Sequence, residues 1–282
     1  MNPDTRVSVH CYEGDGHQVR AAMELYSHHK CPVTIISPTD SRVVIDGVDC
    51  RFAGQREGSI ETRVFGNEPE PRIVTAGPIA NQRQIEQMKL LLTYPEKFFF
   101  MNDADSFCLS PELPQYLYDR DIIWCNYVED PIGDNRPGYA DYPPKFPFYA
   151  MQPPYFLSRA SMEKLIAVSG SIVPNKIMPW IDHFMMQLAF AAGITVHRFK
   201  DSVASDVDRY PENLAPTLDL IRNEGRVFVH SSKSPVTWRP MIEARKKYLA
   251  RVEVIKVSAE AERLRVEEAA RREAKRHGEI RA

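Results

Sequence analysis

Two carboxylates set close together are the residues of this sequence best suited to chemistry. Asp103 and Asp105 directly follow an apolar run, residues 98–101, which has the length of one buried strand. Strand residues alternate sides, so we expect positions i and i+2 to point the same way, at the carboxyl edge of a sheet. Two carboxylates at one point repel unless a cation lies between them, and hard divalent ions prefer such ligands. The pair predicts a site for a metal that also holds a diphosphate.

The flanking residues favour this interpretation over chance. Asp-x-Asp alone is short and also occurs in solvated turns and helix caps. Here the run before it is too apolar for a surface loop. Ser110 and Pro111, just after the pair, indicate the start of a helix with proline in its first position.

A late histidine and lysine are further candidates. His230 ends a predicted strand, residues 226–230, and a neutral imidazole can complete a divalent site built on carboxylates. The alternative is a structural histidine with satisfied hydrogen bonds. Lys233, three residues on, could neutralise a phosphate as a point charge.

Three more side chains have both a structural and a functional interpretation. Asp182 stands at the start of a predicted helix, where it is either an N-cap or a base that orients an acceptor hydroxyl. Arg83, in a predicted helix over residues 79–92, either reaches a phosphate or pairs with Glu86. Asp40 ends a predicted strand and is either a turn aspartate or a partner for uracil or ribose.

The order of predicted elements indicates an α/β fold. A strand, a helix and a second strand within about 30 residues form a βαβ unit, which begins a parallel sheet. Residues 43–46 and 48–52 flank Gly47 and predict a short hairpin, and two long loops are expected at residues 55–77 and 129–147. The other predicted elements are strands at 6–11, 32–37, 122–126, 155–158 and 194–199, and helices at 17–27, 160–168, 184–192 and from 241 on.

Composition excludes several classes of protein. With 282 residues, 43% hydrophobic and 26% charged, the chain is ordinary for a globular protein of one large or two small domains. It has no run of 18 apolar residues and no secretory signal, so we expect a cytoplasmic protein without a membrane span. Five cysteines without a CxxC pair predict reduced thiols rather than disulfides or a zinc site.

Charge divides the chain into two parts. Residues 239–282, the tail, hold 13 Lys and Arg against 8 Asp and Glu, a net charge of +5, whereas residues 1–238 carry −7. We therefore expect one domain over residues 1–238 and a charged helical tail over residues 239–282. Large apolar residues nearly vanish after Val266, so the end of the tail is expected to be solvated or disordered. A basic tail indicates either a polyanionic partner or simply a solvated helix.

Taken together, these residues resemble a metal-dependent glycosyltransferase of the GT-A fold. The resemblance covers residues 6–238 and is strongest over 98–113, which are similar to the family's DxD strand and the helix after it. It implies a Rossmann-like, mixed and mostly parallel sheet flanked by helices. It also implies that Asp105 binds Mn²⁺ or Mg²⁺ directly, with Asp103 contributing to the metal site and nearer the ribose of a nucleotide sugar, UDP-linked in most members.

The resemblance assigns the remaining roles as well. His230 would be a further metal ligand, Lys233 would touch the diphosphate, and Asp182 would act on the acceptor hydroxyl. Compact members of this kind occur in phages, where the acceptor can be a hydroxymethylated base in DNA, and a basic tail would suit the phosphate backbone. The expected location is then the cytosol of a bacterium or of its phage-infected host.

Two other enzyme classes also place paired aspartates after a strand. A DxD phosphatase of the haloacid-dehalogenase type would have the motif near its start and a Thr or Val where this chain has Phe107. A nucleotidyltransferase would have a Gly-rich phosphate loop, which we do not find. Both remain alternatives, acting on a phosphorylated small molecule.

Overall fold

The structure is a computed structural model that describes most of the chain. The described residues are 4–12, 19, 31–55, 77–108, 113–128, 150–171, 181–200, 202–205, 211–223, 227–230 and 235–279. They include the strand that precedes the acidic pair, together with both residues of the pair.

A seven-stranded sheet forms the centre of the molecule, in the order β3-β2-β1-β4-β7-β6-β8. All its strands run parallel except β7, which is antiparallel to both of its neighbours. The sheet is therefore mixed and mostly parallel, as predicted. Its strands are β1 (Thr5–His10), β2 (Val33–Ser37), β3 (Asp49–Phe52), β4 (Phe98–Asp103), β6 (Ile122–Val128), β7 (Ala150–Ser158) and β8 (Thr195–Arg198).

Both faces of the sheet are covered, which explains why β4 is apolar on both sides. Phe98 and Phe100 belong to one buried layer, and Phe99 and Met101 belong to the other. A parallel strand buried on both faces needs a nearly continuous apolar run. The second layer is formed with three helices, α1 (Gly77–Leu91), α2 (Arg159–Ser169) and α3 (Ile181–Ala191).

A second, three-stranded sheet contributes to the first layer. Its strands are β5 (Phe107–Cys108), β9 (Ser202–Ser205) and β10 (Val227–His230), in the order β5-β10-β9. Phe228 stacks on Phe199 with ring centroids 4.0 Å apart and meets Phe100 edge-on at 6.1 Å. The short strand that follows the acidic pair is thus tied to the body through β10.

The last two helices complete the chain. They are α4 (Leu214–Asn223) and α5 (Pro235–Glu279). The first turns of α5 belong to the core, because Trp238, Met241, Ile242 and Arg245 are all buried there. From Arg251 onward, the described side chains of α5 are almost all exposed. Among the described residues, no helix is long and apolar enough to cross a membrane.

Most predicted elements in the described part of the chain are confirmed to within about two residues. They are β1, β2, β4, β6, β8, β10, α1 and α2, whereas α3, β7 and the tail helix start three, five and six residues before their predictions. Apart from Val19, which is helical and buried, the predicted helix at 17–27 lies outside the described residues, as do most of the two long loops, 56–76 and 129–147. The helix start at Ser110 also lies outside them, and the next described element is a single 3-10 turn, Gln115–Tyr118.

The predicted hairpin is wrong. Residues 43–46 form no strand, and β3 instead pairs in parallel with β2. The Val43 amide donates to the Ser37 hydroxyl at 3.0 Å, and the Ile45 amide donates to the Cys50 sulfur at 3.3 Å. Because side chains satisfy these two amides, the segment needs no partner strand.

Candidate functional site

The acidic pair lies at the end of a central strand, as predicted. β4 ends at Asp103, and its neighbours are β1 and β7. Ala104 and Asp105 form a turn, in which the Ser106 amide donates to the Asp103 carbonyl at 3.0 Å. The strand alternation on which we based their convergence stops at Asp103, so the turn sets the direction of Asp105. Both carboxylates are half-buried at the carboxyl edge of the sheet.

A histidine that no sequence pattern marked lies beside Asp103. His10 ends β1, and its Cα is paired with that of Asp103 in the parallel register. Its Nε2 lies 3.3 Å from the Ser8 hydroxyl. The pKa of His10 is lowered to about 3, mainly because burial removes the hydration of the charged imidazolium. The positive charge of Arg83 lowers this pKa further, whereas a hydrogen bond with Gln87 raises it. The imidazole is therefore neutral at physiological pH.

Arg83 is held at the same edge by the ends of two strands. It donates from Nη2 to the Tyr12 hydroxyl at 2.6 Å and from Nη1 to the Gln55 carbonyl at 3.1 Å. The guanidinium also lies 5.2 Å from the centre of the Tyr12 ring. The alternative ion pair with Glu86 does not form, because Glu86 binds Lys89 at 2.9 Å. Among the residues that the structure describes, no carboxylate forms a salt bridge with Arg83.

A glycine after β3 allows helix α1, which carries Arg83, to approach the sheet closely. Gly54, just after β3, has φ of +72°, and a Cβ built there would lie 2.7 Å from the Arg83 Cα. Its carbonyl accepts hydrogen bonds from both the amide and the hydroxyl of Thr39. The contact fixes the position along α1 from which Arg83 reaches the edge.

Asp40 lies in the turn after β2, at the carboxyl edge of that strand. The turn is closed by the Ser41 amide, which donates to the Pro38 carbonyl at 3.2 Å. The side chain of Asp40 is exposed. Its position agrees with a turn aspartate and also leaves it accessible to a ligand at this edge.

The topology places Asp182 toward the same edge. Asp182 is the second residue of α3, and its side chain lies outside the described part. α3 ends at Ala191 and leads within four residues into the amino end of β8. Because β8 is parallel to β4, a helix that runs down to its start must begin near the carboxyl edge of the sheet.

The register of the small sheet brings His230 toward the acidic turn. β10 and β5 are antiparallel, with Val229 paired to Phe107. His230 is the next residue of β10, and the chain just before Phe107 is the turn that holds Asp105. The side chain of His230, and all of Lys233, lie outside the described residues.

The donor chemistry of the edge fits a hard divalent cation. Within the described residues, no group of three or more His, Cys, Asp or Glu is placed to hold a metal ion, and the side chain of His230 falls outside that set. Mg²⁺ is usually bound by one or two carboxylates together with substrate phosphates and water. Asp103, the last residue of β4, and Asp105, in the turn after it, could supply two such oxygen ligands.

Neither protein-family models nor curated proteins give a match to this sequence. The chemistry of the carboxyl edge is therefore inferred from its geometry.

Proposed function

We propose that the protein is a metal-dependent glycosyltransferase, which moves a sugar from a nucleotide sugar, with UDP as the nucleotide, to an acceptor hydroxyl. One observation supports the proposal most strongly: the half-buried carboxylate of Asp103 and the guanidinium of Arg83, which forms no salt bridge with a described carboxylate, occupy one edge of the sheet. A nucleoside diphosphate with its divalent counter-ion presents a positive ion to the carboxylate and negative phosphates to the guanidinium. The carboxyl edge is also where open α/β sheets bind ligands.

The acidic turn would hold the metal. Asp105 would bind Mn²⁺ or Mg²⁺ directly, with Asp103 beside it and nearer the ribose. Bound there, the ion supplies positive charge that stabilises the departing nucleoside diphosphate. His230 would complete the ligand set, since its strand ends next to the turn.

Other residues would bind and orient the donor. Arg83 is fixed by two hydrogen bonds, so little side-chain entropy is lost when its charge meets a phosphate. Lys233 would contact the diphosphate, and Asp40 would accept from the uracil or ribose. His10, neutral and next to Asp103, adds no positive charge that would compete with a metal ion.

Asp182 would act on the acceptor. In the transfer, the acceptor oxygen bonds to the anomeric carbon, the bond from that carbon to the diphosphate breaks, and Asp182 takes the hydroxyl proton. The acceptor that suits the charge of the chain is a hydroxymethylated base in DNA. The tail carries +5 against −7 for the rest, and basic side chains contact phosphates without regard to sequence.

Thermal melting with ligands tests the proposal. The protein is melted with Mn²⁺ and each of a panel of UDP- and GDP-sugars. A nucleotide at 100 times its dissociation constant adds about 2.7 kcal/mol to the free energy of unfolding. We expect a metal-dependent shift with one nucleotide, lost in Asp105→Ala and weakened in Arg83→Gln. If no nucleotide shifts the melting of the wild-type protein, the proposal is wrong, and a phosphatase or nucleotidyltransferase activity should be assayed.

A further inference from the structure

The outer half of α5 exposes apolar side chains where the helix no longer packs on the body. Five large apolar residues there are between 52% and 65% exposed, and they make up most of the exposed large apolar side chains that the structure describes. They are Val254, Ile255, Val257, Leu264 and Val266. Clusters of exposed apolar groups mark interaction sites, and this segment is therefore a candidate interaction surface.

The apolar residues fall into two stripes on opposite sides of the helix. The first, which we call the Leu264 stripe, consists of Ala250, Val254, Val257, Ala261 and Leu264, all exposed. Its spacings of four, three, four and three residues are those of the a and d positions of a coiled coil. The second, the Val266 stripe, consists of Val252, Ile255, Ala259 and Val266.

The charges beside the Leu264 stripe are complementary to those of a second copy of the same helix. With Val254 and Ala261 at a, and Val257 and Leu264 at d, Glu260 takes a g position and Arg265 an e position. In two parallel helices in register, a g side chain meets the e side chain five residues further along its partner. Glu260 then meets Arg265 on both sides of the seam. The step from Lys246 to Arg251 is like-charged, and the next heptad has Glu268 at a and Arg271 at d, so the seam ends at Leu264 and Glu260–Arg265 is its complementary step.

The other arrangements are disfavoured by charge. An antiparallel pair through the Leu264 stripe would set its glutamates against each other and its arginines against each other. The Val266 stripe is flanked on both sides by basic residues, which repel a second copy in either direction. These residues are Arg251, Lys256, Arg263 and Arg265.

We propose that the Leu264 stripe is the seam of a parallel, two-stranded coiled coil with a second copy of this chain. Val254 at a and Leu264 at d are the combination that favours two strands, whereas Ala261 at a and Val257 at d do not add to that preference. The helix is already formed and anchored in the core through Trp238 and Met241, so association does not bear the cost of helix nucleation. The seam is short and contains two alanines, and the dimer is accordingly concentration-dependent and weakened by salt.

Sedimentation velocity of the full chain tests the seam. We expect the mass to rise with protein concentration from 32.3 kDa toward twice that value. Glu260→Arg and Arg265→Glu, each alone, set like charges against each other and abolish the dimer. An equimolar mixture of the two variants restores it, and so does the double variant. These side chains are exposed, and circular dichroism checks that helix content is unchanged.

Two matched substitutions distinguish association through this seam from non-specific hydrophobic association. Leu264 and Val266 are 52% and 60% exposed on opposite stripes. Leu264→Lys should abolish the dimer, whereas Val266→Lys should leave it intact. The proposal is overturned by a wild-type chain that stays monomeric at every concentration, by equal effects of these two variants, or by charge variants that mixing does not rescue.

Discussion

His10 and Asp103 are Cα partners at the last paired position of β1 and β4. The amide after Asp103, that of Ala104, donates to the His10 carbonyl at 2.8 Å, so the two chain segments stay joined until the acidic turn begins. A neutral imidazole and a half-buried carboxylate therefore share one edge of the sheet. The position of the candidate metal turn depends on the end of the first strand.

His10 should make folding stability depend on pH. Its folded pKa, about 3, lies below the usual value of 6.5, so between these values the unfolded chain binds a proton that the folded chain does not. This contribution is complete above pH 6.5 and declines as the pH falls toward 3. Urea unfolding between about pH 7 and about pH 4 should show a shallower decline in His10→Gln. An unchanged pH dependence in the variant would mean that His10 is not the group responsible.

Gly54→Ala should displace α1 and with it Arg83. The new Cβ would meet the Arg83 backbone at 2.7 Å at a positive φ, and strain plus overpacking should cost about 3 kcal/mol. Gly47 is the matched control, because its φ is +76° but its Cβ would meet nothing within 4 Å. Gly47→Ala should cost only about 1 kcal/mol. Urea unfolding of both variants measures the difference, and equal losses would refute the close contact.

The buried pair of Arg6 and Glu96 should matter far more than its exposed neighbour. Arg6 donates to both carboxylate oxygens of Glu96, at 2.8 and 3.1 Å, and the side chains are 11% and 7% exposed. Glu96→Ala removes the partner that binds the guanidinium through both oxygens and leaves it with Thr34 and, at 3.5 Å, Asp49, which should cost about 3 kcal/mol. Lys97→Ala removes an exposed pair with Asp4 and should cost about 0.5 kcal/mol or less. Similar losses in chemical denaturation would show that burial does not separate the two pairs.

If DNA is the acceptor, the tail should set the salt dependence of its binding. Lys256 and Arg263 are exposed on α5, away from the Leu264 stripe. Replacing both by Gln should make the slope of log K against log salt shallower by about 2, since each phosphate contact contributes about 0.9. Glu262→Gln, which removes a negative charge from the same helix, should not weaken binding. Fluorescence anisotropy over a salt series measures the slope, and an unchanged slope would exclude these contacts.

The inner strands β1, β2 and β4 were predictable because they are largely buried on both faces. A continuous apolar run marks β4, β-branched residues mark β2, and a Gly or Pro lies near several element ends. Shorter or more polar elements gave no such signal: β5 has two residues, β9 reads Ser-Val-Ala-Ser, and α4 contains Pro216. The direction of β3 was missed because side-chain hydrogen bonds to Val43 and Ile45 replace the expected partner strand.

The candidate site was predictable only in part, because local sequence patterns mark some of its residues and strand order alone brings in the others. Asp103 was found because a local pattern, an apolar strand followed by acidic residues, marks it. His10 and Tyr12 have no such pattern, and their relevance depends on β1 lying beside β4, which is a matter of strand order. Both follow the first strand's apolar residues closely, so a strand-end histidine in a βαβ unit is a signal that could have been used.

Binding of Mn²⁺, followed by electron paramagnetic resonance, tests whether the acidic turn is a metal site that serves a nucleotide. Free Mn²⁺ is titrated with the protein, with and without UDP, for the wild type, Asp105→Ala and Asp121→Ala. Asp121 precedes β6 and so lies at the opposite edge of the sheet. We expect UDP to strengthen Mn²⁺ binding by the wild type and by Asp121→Ala, and Asp105→Ala to lose this binding. Equal Mn²⁺ binding by all three proteins, or none with UDP present, would contradict a metal site at Asp105.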